Sequence, residues 1–159
     1  MRTLVIVILV AAAGFLYTYF QQASRDAGGN IVSEGNIDAF SIQVGDCFND
    51  DPGLDATAEV FGVAGIPCTQ PHDNEVYAIF NTSLTEFPGN ARMGEVASDE
   101  CVARFEAFVG RDYMSSQLDV LPMYPTQESW EQMGDREIVC ALYDLDLVKL
   151  EGSMRQSGL

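Results

Sequence analysis

Residues Ser98–Gly110 read SDECVARFEAFVG, and their period decides the fold class. Cys101, Phe105, Phe108 and Val109 recur at i, i+4, i+7 and i+8, the stripe of a helix with one apolar face. Ser98 can cap that helix, and Gly110 can end it. Working outward, the surrounding segments read as strands. Glu137–Leu142 (EIVCAL) is a nearly continuous apolar run, as expected of a central strand buried on both faces. Leu118–Met123 reads as a short strand, Thr126–Glu131 as a turn of helix, and Val148–Met154 as an edge strand closing the sheet. Upstream, Phe40–Gly45 alternates apolar and polar, Ala58–Val63 reads as a strand, and Glu75–Phe80 (EVYAIF) is apolar on both faces except at Glu75. Asn49–Gly53 (NDDPG) and Phe87–Asn90 (FPGN) carry turn chemistry. One main helix among strands predicts an α+β fold with a small mixed or antiparallel sheet. The folded domain is expected over residues 39–159, a length ordinary for one core.

Four cysteines, Cys47, Cys68, Cys101 and Cys140, all lie within that domain. An even number predicts two disulfides, with three connectivities possible. Zinc binding needs close ligand pairs, and none of these cysteines has a near neighbour in sequence. Pairing Cys47 with Cys68 and Cys101 with Cys140 joins sequence neighbours without crossing. It places Cys101 on the helix, opposite Cys140 on the central strand.

Residues 1–20 differ in composition from everything that follows. Leu4–Phe20 (LVIVILVAAAGFLYTYF) carries no charge, and its seventeen residues would cover roughly 25 Å of hydrocarbon as a helix. Tyr17, Tyr19 and Phe20 sit at one end, where aromatic rings favour the membrane interface. Arg2 precedes the segment, so the positive-inside tendency puts the N-terminus in the cytosol and the domain outside the cytoplasmic membrane, with lipid contacted through this helix. An uncleaved signal anchor fits better than a cleaved signal peptide, because before Ser24 the −1 and −3 positions are Ala23 and Gln21. Gln21–Asp38 is polar with Gly28-Gly29 and Gly35, and reads as a flexible stalk. All 24 acidic residues fall at or after Asp26, against six basic ones there. Such a surface repels nucleic acid and anionic headgroups.

Chemistry-bearing residues are few. Pro71-His72-Asp73-Asn74-Glu75 holds the sole histidine, which could be a general base or metal ligand. No G-x-S-x-G or second histidine accompanies it, so the segment, with Pro71, His72, Asp73 and Glu75, reads as the structural entry to a strand. Neither catalytic nor metal residues nor a cofactor is assigned. Asn49-Asp50-Asp51-Pro52 with Asp55 looks faintly like a calcium loop but lacks the D-x-[DN]-x-[DN]-G spacing and the closing Glu. Trp130 with Tyr124 and Pro125 could form an aromatic ligand patch, although such residues more often complete a core.

The spacing of landmarks carries a resemblance. Val44-Gly45-Asp46-Cys47-Phe48, then Cys68 with Pro71-His72-Asp73-Asn74-Glu75-Val76, then Phe87-Pro88-Gly89, resembles the opening of the septum-formation domain family of actinobacterial membrane proteins. Cys101 with Phe105 and Val109-Gly110, Tyr124-Pro125, Trp130, Gly134-Asp135-Arg136, Cys140, Leu142-Tyr143-Asp144 and Gly152-Ser153 extend it to the end of the domain. The resemblance implies a membrane-tethered extracytoplasmic module tied by name to cell division, with no catalytic residues to carry over. Two function classes remain: a non-enzymatic module binding an envelope or division protein or a wall component, and a small-ligand or metal sensor or enzyme built on His72. Where the family often shows Arg-Gly-Ser near its end, this chain has Arg155-Gln156-Ser157 in an expected tail.

Overall fold

The computed structural model describes residues 22–51, 53 and 60–159. The expected anchor over Leu4–Phe20, together with Pro52, Asp55 and the start of the Ala58–Val63 segment, lies outside the described residues. Among the described residues no helix is long and apolar enough to cross a membrane. The elements are β1 (Ser24–Arg25), β2 (Ile31–Ser33), β3 (Gly35–Asp38), β4 (Cys47–Asn49), β5 (Gly62–Ile66), β6 (Asn74–Asn81), α1 (Asn90–Val109), β7 (Leu118–Met123) and β8 (Glu137–Asp144). Six strands form one sheet in the order β3-β5-β4-β6-β8-β7, and β1 pairs with β2 separately. Every pairing between these strands is antiparallel. The fold is α+β, with one main helix and two disulfides.

Alternation along β8 builds two cores. Ile138, Cys140 and Leu142 join Ala97, Cys101, Phe105 and Phe108 of α1 on one face, while Val139 and Ala141 join Ile31, Ile37, Ile42 and Phe48 on the other. With both faces covered, all five residues from Ile138 to Leu142 are buried, which is why EIVCAL carries no polar alternation. The helix stripe extends N-terminally through Met93 and Ala97, both fully buried. Ser98 therefore lies within α1 rather than capping it. Gly94 adds no Cβ where the Tyr124 hydroxyl closes to 3.0 Å of the space a side chain would fill. Gly110 ends the helix in the left-handed conformation, its amide bonded to the Glu106 carbonyl.

The Gln21–Asp38 segment, expected as a flexible stalk, is part of the fold from Gln22 onward. Residues 35–38 are the sheet's edge strand, paired to β5, and Arg25 reaches Asp46 with two hydrogen bonds of 2.5 and 2.7 Å. The folded region therefore begins before residue 39. Phe40–Gly45 is a 3-10 turn at Ala39–Ser41 followed by irregular chain, not a strand. Its Ile42 is buried in the second core while Val44 is exposed, so the alternation reports burial without pairing. The strand expected near Ala58–Val63 runs Gly62–Ile66. Val148–Met154 forms no edge strand; it makes one isolated bridge, Leu150 with His72, and β7 holds the sheet edge instead. The helical turn expected at Thr126–Glu131 is present over residues 127–133 and continues two residues further, to Met133.

Candidate functional site

Cys47–Cys68 and Cys101–Cys140 are the two disulfides, with Cα atoms 5.2 and 5.5 Å apart. Cys101–Cys140 staples α1 to β8 through the first core. Cys47–Cys68 ties β4 to the turn after β5, where the His72 segment starts.

That segment grips the C-terminal chain at successive residues. The His72 amide donates to the Leu150 carbonyl at 3.1 Å, and the Leu150 amide returns the bond at 2.8 Å. Lys149, the chain's sole lysine, places Nζ 2.6 Å from Asp73 Oδ1 and 2.9 Å from Asn49 Oδ1. The Gly152 amide donates to the Cys68 carbonyl at 2.9 Å. Glu75, 1 % exposed, accepts from the Ser153 hydroxyl and the Met154 amide, each at 2.5 Å. Burial pushes the Glu75 carboxyl above its ordinary range, outweighing those two bonds and the nearby His72 and Arg155. The motif is a clasp, and Pro71, itself exposed, leads into it.

The His72 ring is fully buried, with Nδ1 2.8 Å from the Gln70 carbonyl. The Gln70 carbonyl is an acceptor, so Nδ1 donates to it, and Nε2 has no hydrogen-bond partner among the described residues. The one grouping of three potential metal-ligand side chains among the described residues is Cys47, Cys68 and Glu75. Its sulfurs are joined to each other, so they are not thiolate ligands. At the Asn49-Asp50-Asp51 turn one oxygen of each carboxylate is engaged within the protein. Asp50 Oδ1 accepts from Asn74 at 2.7 Å, Asp51 Oδ1 from the Gly53 amide at 2.8 Å, and Asp73 from Lys149.

Sequence reasoning missed a cluster at the outer edge. Asp119 accepts from the Tyr113 hydroxyl at 2.5 Å and the Tyr143 hydroxyl at 3.0 Å. Burial opposes Asp119's charge, yet these bonds and the Val120 amide hold its carboxyl below the usual range. The same hydrogen bond pushes Tyr113 up to about 12, so neither tyrosine is an activated nucleophile. Separately spaced in sequence, the three residues carry no local signal. Asp119 also satisfies the Val120 amide at 2.8 Å, Ser116 takes the Leu118 amide at 3.0 Å, and Pro122 has no N–H. Alternate amides along β7 are thus occupied or absent, which disfavours strand addition there.

The expected aromatic patch divides. Trp130 and Pro125 are buried, whereas Tyr124 is exposed. The Arg136 guanidinium lies 3.4 Å over the Trp130 ring, and Phe87 packs against it at 5.8 Å. Phe87, Pro88, Gly89, Gln127, Trp130 and Glu131 line an open cleft of about 510 Å³.

A family model described as "Septum formation" matches residues 44–157. The match covers the sheet from β4 onward, α1, both disulfides and the clasp. The chain belongs to the septum-formation family, which gives it a cell-division-related role. No curated protein and no solved structure matches it.

Proposed function

We propose that the protein is a non-enzymatic module, held on the outer side of the cytoplasmic membrane by Leu4–Phe20, that serves septum formation by binding an envelope or division protein or a wall component. The clasp carries this reading. The backbone of His72 and the side chains of Asp73 and Glu75 hold residues 149–154 against the sheet. Two disulfides fit an oxidising compartment, and the acidic surface disfavours nucleic acid as a partner. Tethering raises the effective concentration of such a module near other membrane proteins, so weak contacts suffice. With strand addition at β7 disfavoured, the partner docks on side chains. A second reading, a small-ligand or metal sensor at His72, has one observation in its favour, the unpartnered Nε2.

A C-terminal fusion to a fluorescent protein that matures in an oxidising compartment tests the proposal. Enrichment at division sites, with septation defects in a deletion strain, is expected. Uniform membrane signal with normal division would remove the division-site role.

A further inference from the structure

Cys47 and Glu75 are directly opposed partners on β4 and β6, so their side chains share a face. The Cys47 and Cys68 sulfurs and a Glu75 carboxyl oxygen all lie within 4.8 Å of one another. The two cysteines differ in exposure: Cys47 is fully buried, while Cys68 is half-buried at the turn. One half-buried cysteine, one fully buried cysteine and one buried acid beside them form an arrangement that Cys101–Cys140 lacks, since both of its cysteines are fully buried.

We infer that Cys47–Cys68 is an exchangeable disulfide, opened at Cys68 by an external dithiol, with Glu75 supplying the proton to the departing Cys47 sulfur. The incoming thiolate attacks Cys68 Sγ, and the S–S electron pair leaves on Cys47 Sγ, which takes the Glu75 proton. The resulting carboxylate is held by the Ser153 hydroxyl and the Met154 amide. The reductant's second thiol loses its proton to solvent and displaces Cys68 from the mixed disulfide. Cys68 takes a proton from water, and its S–H can then donate to the Gly45 carbonyl, 3.3 Å from Sγ. Two electrons pass, leaving the domain with two thiols and the dithiol oxidised to a disulfide. Burial keeps Glu75 protonated to higher pH than an exposed glutamate, which suits it to the step. Because Cys68 and Glu75 both hold the C-terminal chain, opening this bond loosens the clasp. The inference stands apart from the division role.

The test treats the full chain with dithiothreitol over about pH 5 to 8, traps thiols with iodoacetamide and maps them by peptide mass spectrometry. Cys47 and Cys68 should be labelled at least roughly tenfold faster than Cys101 and Cys140, with the fold retained. The rate per dithiothreitol thiolate should fall as pH rises through the Glu75 titration. Ser153→Ala, which removes one donor to the carboxylate, should move that fall to higher pH, and Glu75→Gln should abolish it. Labelling of all four cysteines together as the fold is lost, or identical pH profiles in wild type and Ser153→Ala, would overturn the inference.

Discussion

The Ser153 hydroxyl reaches Glu75 Oε1 across 78 positions of chain, at 2.5 Å, and this bond closes the C-terminal segment over the sheet. Hydrogen bonds to charged groups contribute about 1.5–3 kcal/mol each. Ser153→Ala should therefore lower stability by roughly 1–2 kcal/mol in urea unfolding, and Glu75→Ala by more because the Met154 amide is orphaned too. The sign of the pH effect follows from the raised Glu75 pKa. The folded state binds the proton more tightly than the unfolded chain, so Glu75's contribution is fully present below the ordinary glutamate value of 4.5 and declines as pH rises through the folded value. The stability difference between wild type and Glu75→Gln should accordingly shift against wild type across that window. A difference independent of pH would refute the assignment.

His72→Ala should cost about 2–4 kcal/mol, from the lost Nδ1 bond and the cavity left in a fully buried site. Elemental analysis of the purified full chain should show no metal that this substitution releases. Stoichiometric metal lost with the imidazole would favour the sensor reading.

Asp46 is 2 % exposed and depends on Arg25 for its counter-charge. Arg25→Ala should destabilise the domain by about 2–4 kcal/mol, since it strands a buried carboxylate. A chain shortened to begin at Ala39 should lose this pair and the β3 edge together and unfold at markedly lower urea. Equal midpoints would mean that residues 22–38 contribute nothing.

Gln156 adopts φ +56°, a region that favours glycine. Its amide donates to the Phe108 carbonyl at 2.7 Å, and its side chain to the Ala107 and Phe108 carbonyls at 3.1 Å each, satisfying the end of α1. The glutamine offsets the strain of this conformation through its side-chain bonds. Gln156→Gly should be nearly neutral by thermal unfolding, while Gln156→Ala, keeping the strain without the bonds, should cost about 1–2 kcal/mol. The reverse order would contradict the account.

Legibility in the sequence followed the density of apolar residues. The C-terminal half of α1, β6 and β8 each bury several consecutive or periodic side chains and could be placed directly. Strands β2 and β3 bury one isoleucine each, Ile31 and Ile37; β2 pairs with the two-residue β1, and β3 with the distant β5, so locally they look like polar stalk. Leu150 and Met154 are both buried, but each is anchored by a bond to β6 or its entry, Leu150 to His72 and Met154 to Glu75. No local period reveals that. The place of His72, Asp73 and Glu75 at a strand entry was readable, whereas their partners at residues 149–154 were not.

That the His72–Glu75 segment clasps the C-terminal chain is the central claim, and amide hydrogen exchange tests it most directly. In wild type, the Leu150, Gly152 and Met154 amides should be protected by their bonds to His72, Cys68 and Glu75. In Glu75→Ala, protection should fall first at Met154 and then across residues 149–158, while β8 and the middle of α1 keep theirs. Unchanged protection at Met154 and Gly152 in that variant would contradict the clasp.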